Sequence, residues 1–182
     1  MARTNLEIKA RCEDLVAARE VAQRLATSHP GVDEQTDTYF VTKTGRLKLR
    51  ESSVSGGQLI PYLRPDRAGP KRADYQILPV PDPTHLKRTL SEMLGVHCVV
   101  RKRREIFLVD NVRIHLDEVE GLGRFLELEA VYDGSAASEA EQQRKLRDLM
   151  GKLGVAEADL VETSYEGLTG GEVSGGSSPT SR

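Results

Sequence analysis

The sequence predicts an α+β fold, a closed eight-stranded antiparallel β-barrel with helices packed outside. Three observations carry this prediction. Charged residues recur on several strand-like segments in strict alternation with apolar ones. The charges are segregated by sign along the chain, with cations on earlier strands and carboxylates on a late hairpin. The helical segments have apolar stripes that need a partner, and the leucine faces of the strands supply one. Eight strands enclose an interior just wide enough for side chains or one small ligand. Charged faces turned outward would give an ordinary sheet over a Leu/Ile core. Turned inward they line a polar tunnel, and the three observations favour that arrangement.

Asn5 to Arg11 opens the chain as a strand, with Leu6, Ile8 and Ala10 opposite Asn5, Glu7, Lys9 and Arg11. Asp14 to His29 reads as a helix capped near Asp14, with Leu15, Val16, Val21 and Leu25 as its stripe and Pro30-Gly31 as its stop. Gln35 to Lys43 and Gly45 to Glu51 pair around Lys43-Thr44-Gly45. In the second of these, Arg46, Lys48 and Arg50 share one face, and Leu47 and Leu49 share the other. Ser52 to Gly57 is a loop, Gln58 to Arg64 a strand closed by Pro65, and 66–71 a charged Pro/Gly loop. Ala73 to Val80 is a strand, and Thr84 to Leu94 a short helix ending at Gly95. Val96 to Lys102 and Arg103 to Val109 are extended segments, followed by a turn at Asp110-Asn111. Ser138 to Leu153 is an amphipathic helix, Ala156 to Leu160 a short helical segment, and Glu162 to Leu168 a last extended one. The Gly/Ser-rich end, residues 169–182, is expected to be a disordered tail on a single domain spanning 1–168.

The most informative stretch is Arg113 to Glu129, two strands joined by Gly121-Leu122-Gly123. Arg113, His115 and Asp117 share a face, and so do Glu127 and Glu129; Ile114, Leu116, Leu126 and Leu128 lie opposite. A sheet with cations on one strand and carboxylates on another, all on one face, can bind an anion through a metal.

Composition narrows the function. The 182 residues fit one domain with a real core, at 38% hydrophobic and 30% charged. A net charge of −2 provides no basic field for nucleic acid, and 4% aromatic residues are too few for a base-stacking platform. Cys12 and Cys98 lack metal-ligand spacing and read as reduced thiols, compatible with a cytoplasmic protein. The N-terminus leads directly into a strand pattern rather than a signal peptide, and no apolar run is long enough to cross a membrane. His115 has no neighbouring His or Cys at ligand spacing and reads as lining or structural. Asp37 and Tyr39 suit either a substrate contact or a strand-end hydrogen bond. Tyr75 and Tyr165 read as packing residues, and Glu118 and Glu120 as solvated ones.

Several of these segments, in this order, resemble the CYTH family, the triphosphate tunnel metalloenzymes. That family includes class IV adenylyl cyclases, thiamine triphosphatases and inorganic triphosphatases. Its opening Glu-x-Glu-x-Lys stands here as Asn5-Leu6-Glu7-Ile8-Lys9. Further resemblance lies in Asp37-Thr38-Tyr39-Phe40, Gly45 to Glu51, Lys102-Arg103-Arg104, the acidic hairpin from Leu116 to Glu129, and the closing Ser164-Tyr165. The resemblance implies a tunnel that holds a small-molecule triphosphate with Mg²⁺ or Mn²⁺. Carried over by position, it implies that Lys48, Arg50, Arg64, Lys102 and Arg104 grip phosphates. Glu7, Asp117, Glu127 and Glu129 would hold metal ions or a water, and Lys9 would contact phosphate or position the attacking water. Two positions depart from the family pattern. Asn5 replaces its first Glu, and Glu162-Thr163 stand where many members carry a lysine. The implied activity is metal-dependent hydrolysis of tripolyphosphate or a small organic triphosphate. The alternatives are conversion of ATP to cyclic AMP and pyrophosphate, or a non-catalytic polyphosphate- or nucleotide-binding role. The expected protein is a monomer or homodimer without nucleic-acid or membrane partners.

Overall fold

A computed structural model describes residues 3–63 and 71–169. The strands are β1 (Arg3–Arg11), β2 (Ser28–Phe40), β3 (Arg46–Ser52), β4 (Gly56–Leu63), β5 (Lys71–Tyr75), β6 (Leu78–Val80), β7 (Val96–Val109), β8 (Val112–Val119) and β9 (Gly123–Tyr132). The helices are α1 (Leu15–Leu25), α2 (Pro83–Leu94), α3 (Ala136–Lys152) and α4 (Tyr165–Thr169), with a 3₁₀ turn at Glu157–Asp159. All the strands join one curled sheet, in the order β3-β2-β7-β8-β9-β1-β5-β4-β6, and β3 pairs with β4 as well. Every named ladder is antiparallel. The eight strands other than β6 make the curled antiparallel wall. Its narrowest seam is β4–β5, where Tyr62 pairs with Tyr75 and Leu63 with Asp74.

Alternation sorts the side chains as the sequence implies. Leu6, Ile8, Ile114, Leu116, Leu126 and Leu128 point away from the concave face and pack with Leu15, Ala18 and Ala22 of α1 and Leu146, Leu149 and Met150 of α3. Each such leucine or isoleucine contributes about 1.5–3 kcal/mol by leaving water. The main core therefore lies outside the sheet, beneath α1 and α3, and the concave face is free to be polar. A second cluster, Tyr39, Val100, Val119, Phe125 and Tyr165, fills one end of the concavity.

Several local expectations change. Helix α1 ends at Leu25, not His29, because Thr27 is drawn into the sheet: its N–H donates to the Leu108 carbonyl at 2.8 Å. Pro30-Gly31 then forms a bulge inside β2, where Pro lacks a ladder donor and Gly31 takes φ +103°. Within α1, Leu15, Ala18 and Ala22 are buried while Val16 is exposed. The expected strand Ala73 to Val80 is two strands: β5 pairs with β1 and β4, and β6, among the described residues, with β4 alone. The two expected extended segments from Val96 to Val109 are one strand, because the ladders to β2 and β8 continue through Lys102 and Arg103, where the expected junction lay. The last expected extended segment contains α4, whose first turn is closed by Leu168 N–H donating to the Ser164 carbonyl at 3.1 Å. So short an apolar run does not distinguish helix from strand by period.

The hairpin β8–β9 forms with its predicted faces, and its register sets His115 opposite Glu127 and Arg113 opposite Glu129. Gly121 and Gly123 supply the positive φ values of its turn, +73° and +99°. Thr169 closes α4, one residue past the expected domain edge. The rest of the expected tail, 170–182, lies outside the described residues, as does Arg64.

Candidate active site

The concave face encloses a cavity of about 500 Å³. Its lining includes Glu7, Lys9, Lys48, Arg50, Lys102, Arg104, Glu127 and Glu129, eight of the ten residues singled out from the sequence. They come from β1, β3, β7 and β9, and each points inward by the same two-residue alternation that sends its neighbours to the core. Of the other two, Arg64 lies outside the described residues, and Asp117 is fully buried behind the lining.

Two buried ionic clusters organise the cavity. In the first, Asp37 of β2 accepts from Arg50 Nε at 2.7 Å, Arg50 Nη2 at 2.8 Å and Lys48 Nζ at 3.1 Å, with Lys102 Nζ at 3.8 Å. Burial opposes its charge, but Arg50, Lys48 and Lys102 outweigh that and hold its carboxyl well below the usual range. In the second, Arg104 donates through Nε to Asp117 Oδ1 at 2.7 Å and through Nη2 to Asp117 Oδ2, and Nη2 also reaches Glu127 Oε1 at 3.3 Å. Tyr165 donates its hydroxyl to Asp117 Oδ2 at 2.7 Å. Both oxygens of Asp117 are thus engaged by its partners.

Glu127 is the carboxylate where these clusters meet. Lys9 Nζ lies 3.2 Å from Oε2, and His115 Nδ1 lies 3.4 Å from Oε1. Burial raises its pKa, yet Arg104 and Lys9 prevail and hold it ionised. Glu129 accepts from Asn5 Nδ2 at 2.6 Å and from the Tyr75 hydroxyl at 3.3 Å, with Arg113 Nη1 at 3.4 Å. Its pKa is also lowered, with burial opposed by His115 and Arg113. His115 is held toward its neutral form by burial and by Arg104.

The cations carry the complementary strain. Burial and the neighbouring Arg50 push Lys48 down to about 8, against the pull of Asp37. Lys102 is pushed well below the ordinary lysine value by burial and Arg104. Cations crowded in a dry site bind an anion strongly, because the anion relieves their mutual repulsion.

Tyr165 and Tyr75, read from the sequence as packing residues, belong to this site, and so does Asp37, for which the sequence left a substrate contact and a strand-end hydrogen bond both open. Asp37 left a signal: it has the inward parity of Tyr39 on a strand register-paired with Arg50. The role of Tyr165 depends on Asp117, which is remote in sequence, and no local pattern reports it.

The donors suit a hard cation. Glu7, Glu127 and Glu129 line the cavity, and Asn5 Oδ1 is a buried oxygen with no hydrogen-bond partner among the described residues. Among those residues, no three of His, Cys, Asp and Glu stand close enough to hold an ion by themselves. That arrangement fits Mg²⁺, which is held by one or two carboxylates while substrate phosphates and waters complete its shell. Among the described residues no helix is long and apolar enough to cross a membrane.

Comparison with known proteins agrees with this architecture. The CYTH domain family model matches residues 3–165. A relative from Methanocaldococcus jannaschii is 27% identical over 179 residues, covering 91% of this chain and 98% of its own length. Adenylate cyclase CyaB of Aeromonas hydrophila is 28% identical over 178 residues, covering 91% of this chain and 88% of its own. The PH1012 protein of Pyrococcus horikoshii OT3 superimposes with a TM-score of 0.75 at 24% identity, covering 90% of this chain and 98% of its own. A Pyrococcus furiosus protein does so at 0.74 and 18% identity, covering 90% and 99%.

Proposed function

The chain belongs to the CYTH domain family, and from that premise we propose that it is a divalent-metal-dependent hydrolase of triphosphate-bearing substrates. The curled sheet acts as a closed tunnel, sealed at the β4–β5 seam, and the triphosphate lies inside it. One observation carries the reading: cations from β3 and β7 converge with Glu127 and Lys9 in a single buried cavity.

Arg50 and Arg104 offer planar forks to phosphate oxygens, and Lys48 and Lys102 offer point charges. Asp37 and Asp117 neutralise these cations in the empty protein, where unpaired buried ions would cost several kcal/mol each. On binding, phosphate oxygens share the cations with the two carboxylates. Phosphoryl transfer needs little covalent help from a protein, and prepositioned charge and alignment provide most of the catalysis. Glu7, Glu127 and Glu129 would hold Mg²⁺ or Mn²⁺, with Asn5 Oδ1 as a neutral oxygen beside them. When bound, the metal neutralises charge developing on the transferred phosphoryl group. Lys9, fixed by Glu127 and by the Tyr165 ring 3.7 Å from its Nζ, holds a terminal phosphate oxygen or the attacking water. Water attacks the terminal phosphorus in line and releases orthophosphate.

A second reading is conversion of ATP to cyclic AMP and pyrophosphate, favoured by the name of the Aeromonas hydrophila relative. A product assay separates the two readings. The protein is incubated with tripolyphosphate and, separately, with ATP, each with Mg²⁺ or Mn²⁺, and phosphate, pyrophosphate and cyclic AMP are measured. Orthophosphate without cyclic AMP supports the hydrolase. Cyclic AMP with equimolar pyrophosphate replaces it with the cyclase. Tight binding without any product reduces the protein to a binding module.

A further inference from the structure

The proposed reaction leaves His115 without a role, although it lies among the carboxylates. Alternation turns it inward on β8, and the ladder sets it directly opposite Glu127, with Glu129 at the next inward position of β9. It lines the cavity and is 3% exposed, so its ring nitrogens meet protein rather than bulk water.

Each nitrogen is set against a carboxylate, but at a different distance. Nδ1 lies 3.4 Å from Glu127 Oε1, a long hydrogen bond. Nε2 lies 4.0 Å from Glu129 Oε2, beyond hydrogen-bond length. A carboxylate only accepts, so a ring carrying a proton on both nitrogens would draw Glu129 in and close the second gap. The open gap instead assigns the N–H to Nδ1 and a lone pair to Nε2, beside a negative oxygen. A cation reconciles two such electron-rich atoms. Small divalent ions bond nitrogen and oxygen at about 2.0–2.2 Å, so ligand atoms on opposite sides of one stand about 4 Å apart.

The surroundings suit a metal in two further ways. A metal-bound imidazole ordinarily donates its other N–H to a carboxylate, which fixes the ring and raises its basicity, and Glu127 is placed to accept it. Asn5 Nδ2 donates to Glu129 Oε1 at 2.6 Å, which fixes the amide. Asn5 Oδ1 is thereby left beside the same carboxylate, buried and without a hydrogen-bond partner among the described residues. Arg113 Nη1 lies 3.4 Å from Glu129 Oε2, but its side chain is 39% exposed and can turn to solvent when a metal takes that oxygen.

We infer that His115 is a metal ligand, binding through Nε2 beside Glu129 Oε2 and Asn5 Oδ1 while Glu127 holds its Nδ1–H. Carboxylate, amide and water oxygens suit Mg²⁺ and Mn²⁺ alike, whereas an imidazole nitrogen favours transition ions. The site is therefore selective for Mn²⁺ over Mg²⁺. The inference rests on the metal-dependent triphosphate reading and deepens it by one ligand and a metal preference.

The test is pulsed EPR of Mn²⁺ added to the full chain, alone and with tripolyphosphate, with ¹⁵N-histidine labelling to identify the nitrogen. The expected result is histidine nitrogen coupling at the bound Mn²⁺, kept in His29→Gln and lost in His115→Gln. In titrations with the metal alone, Mn²⁺ binds His115→Gln about 10-fold more weakly than the native protein, while Mg²⁺, read by competition, changes little. The native spectrum needs no variant, so it decides the matter even if His115→Gln misfolds. No bound Mn²⁺, or bound Mn²⁺ without histidine coupling, would overturn the inference, as would coupling that survives His115→Gln or equal native affinities for the two metals. The triphosphate reading is tested separately, by calorimetry with tripolyphosphate in EDTA. Coupling from His115 without tripolyphosphate binding would overturn that reading and leave His115 as a metal ligand.

Discussion

The depressed pKa of Lys48 makes triphosphate binding proton-linked, and the size of that linkage follows from the structure. Burial and Arg50 bring Lys48 to about 8 in the empty protein. A bound triphosphate adds negative charge beside it and returns it toward the ordinary lysine value, near 10.4. Folded, empty protein therefore holds fewer protons than the complex between about pH 8 and 10, so affinity falls as pH rises through that window. Lys48 is about nine-tenths protonated at pH 7 and about one-tenth at pH 9, so it alone weakens binding about tenfold between them. At pH 8 binding takes up about half a proton. Lys102 is depressed by burial and Arg104, so it adds to the uptake in the same sense. Calorimetry with tripolyphosphate in buffers of different ionisation enthalpy counts the protons directly. Lys48→Arg is the control. Arginine stays charged across the window, and the ligand's own titration cancels in the ratio of native to variant affinity. That ratio should fall about tenfold from pH 7 to pH 9. A flat ratio, with no proton uptake at pH 8, would refute the argument that crowded buried cations are the phosphate grip.

Further outcomes follow from the same site. Asp37→Asn removes the carboxylate shared by Lys48, Arg50 and Lys102 and should cost about 3–5 kcal/mol of stability. Urea unfolding would show this, and added tripolyphosphate should recover part of the loss by linkage. Arg50→Ala and Glu127→Ala should each abolish turnover while circular dichroism remains native, since the main core lies beyond the sheet under α1 and α3; full activity in either would refute the site assignment. EDTA should abolish turnover but leave tripolyphosphate binding measurable, and Mg²⁺ should restore product formation. Deleting residues 170–182 should leave product formation per mole unchanged.

Much of this arrangement is legible in the sequence because a strand has period two. Once Leu126 and Leu128 are assigned to the core, Glu127 and Glu129 must face the other way, and the same logic places Lys48, Arg50, Lys102 and Arg104. What stays hidden depends on partners distant along the chain. Thr27 leaves the helix because the Leu108 carbonyl takes its N–H, and nothing near Thr27 announces Leu108. Asp37 is an isolated acid among Thr and Tyr until the fold brings it Lys48, Arg50 and Lys102 from two neighbouring strands. Asp117 looks like a metal ligand beside Glu127 and Glu129, but Arg104 and Tyr165 occupy both of its oxygens.

The difference between Asp117 and Glu127 shows how one buried charge network can serve both stability and ligand exchange. Asp117 is fully enclosed and bound by a two-pronged arginine contact and a tyrosine hydroxyl, so a ligand would have to break the bonds of a completely desolvated carboxylate to displace it. Glu127 lines the cavity, and its contacts to Lys9, Arg104 and His115 are longer, at 3.2 to 3.4 Å, so each is released more cheaply. The inner acid fixes Arg104 in place, while the outer one leaves Lys9 and one face of Arg104 available to phosphate. Asp117→Asn should therefore lower stability more than it lowers ligand affinity at saturating folded protein, and Glu127→Gln should do the reverse, as chemical denaturation and calorimetry on the two variants would show. Equal effects of the two substitutions on both measurements would mean that the carboxylates are not divided in this way.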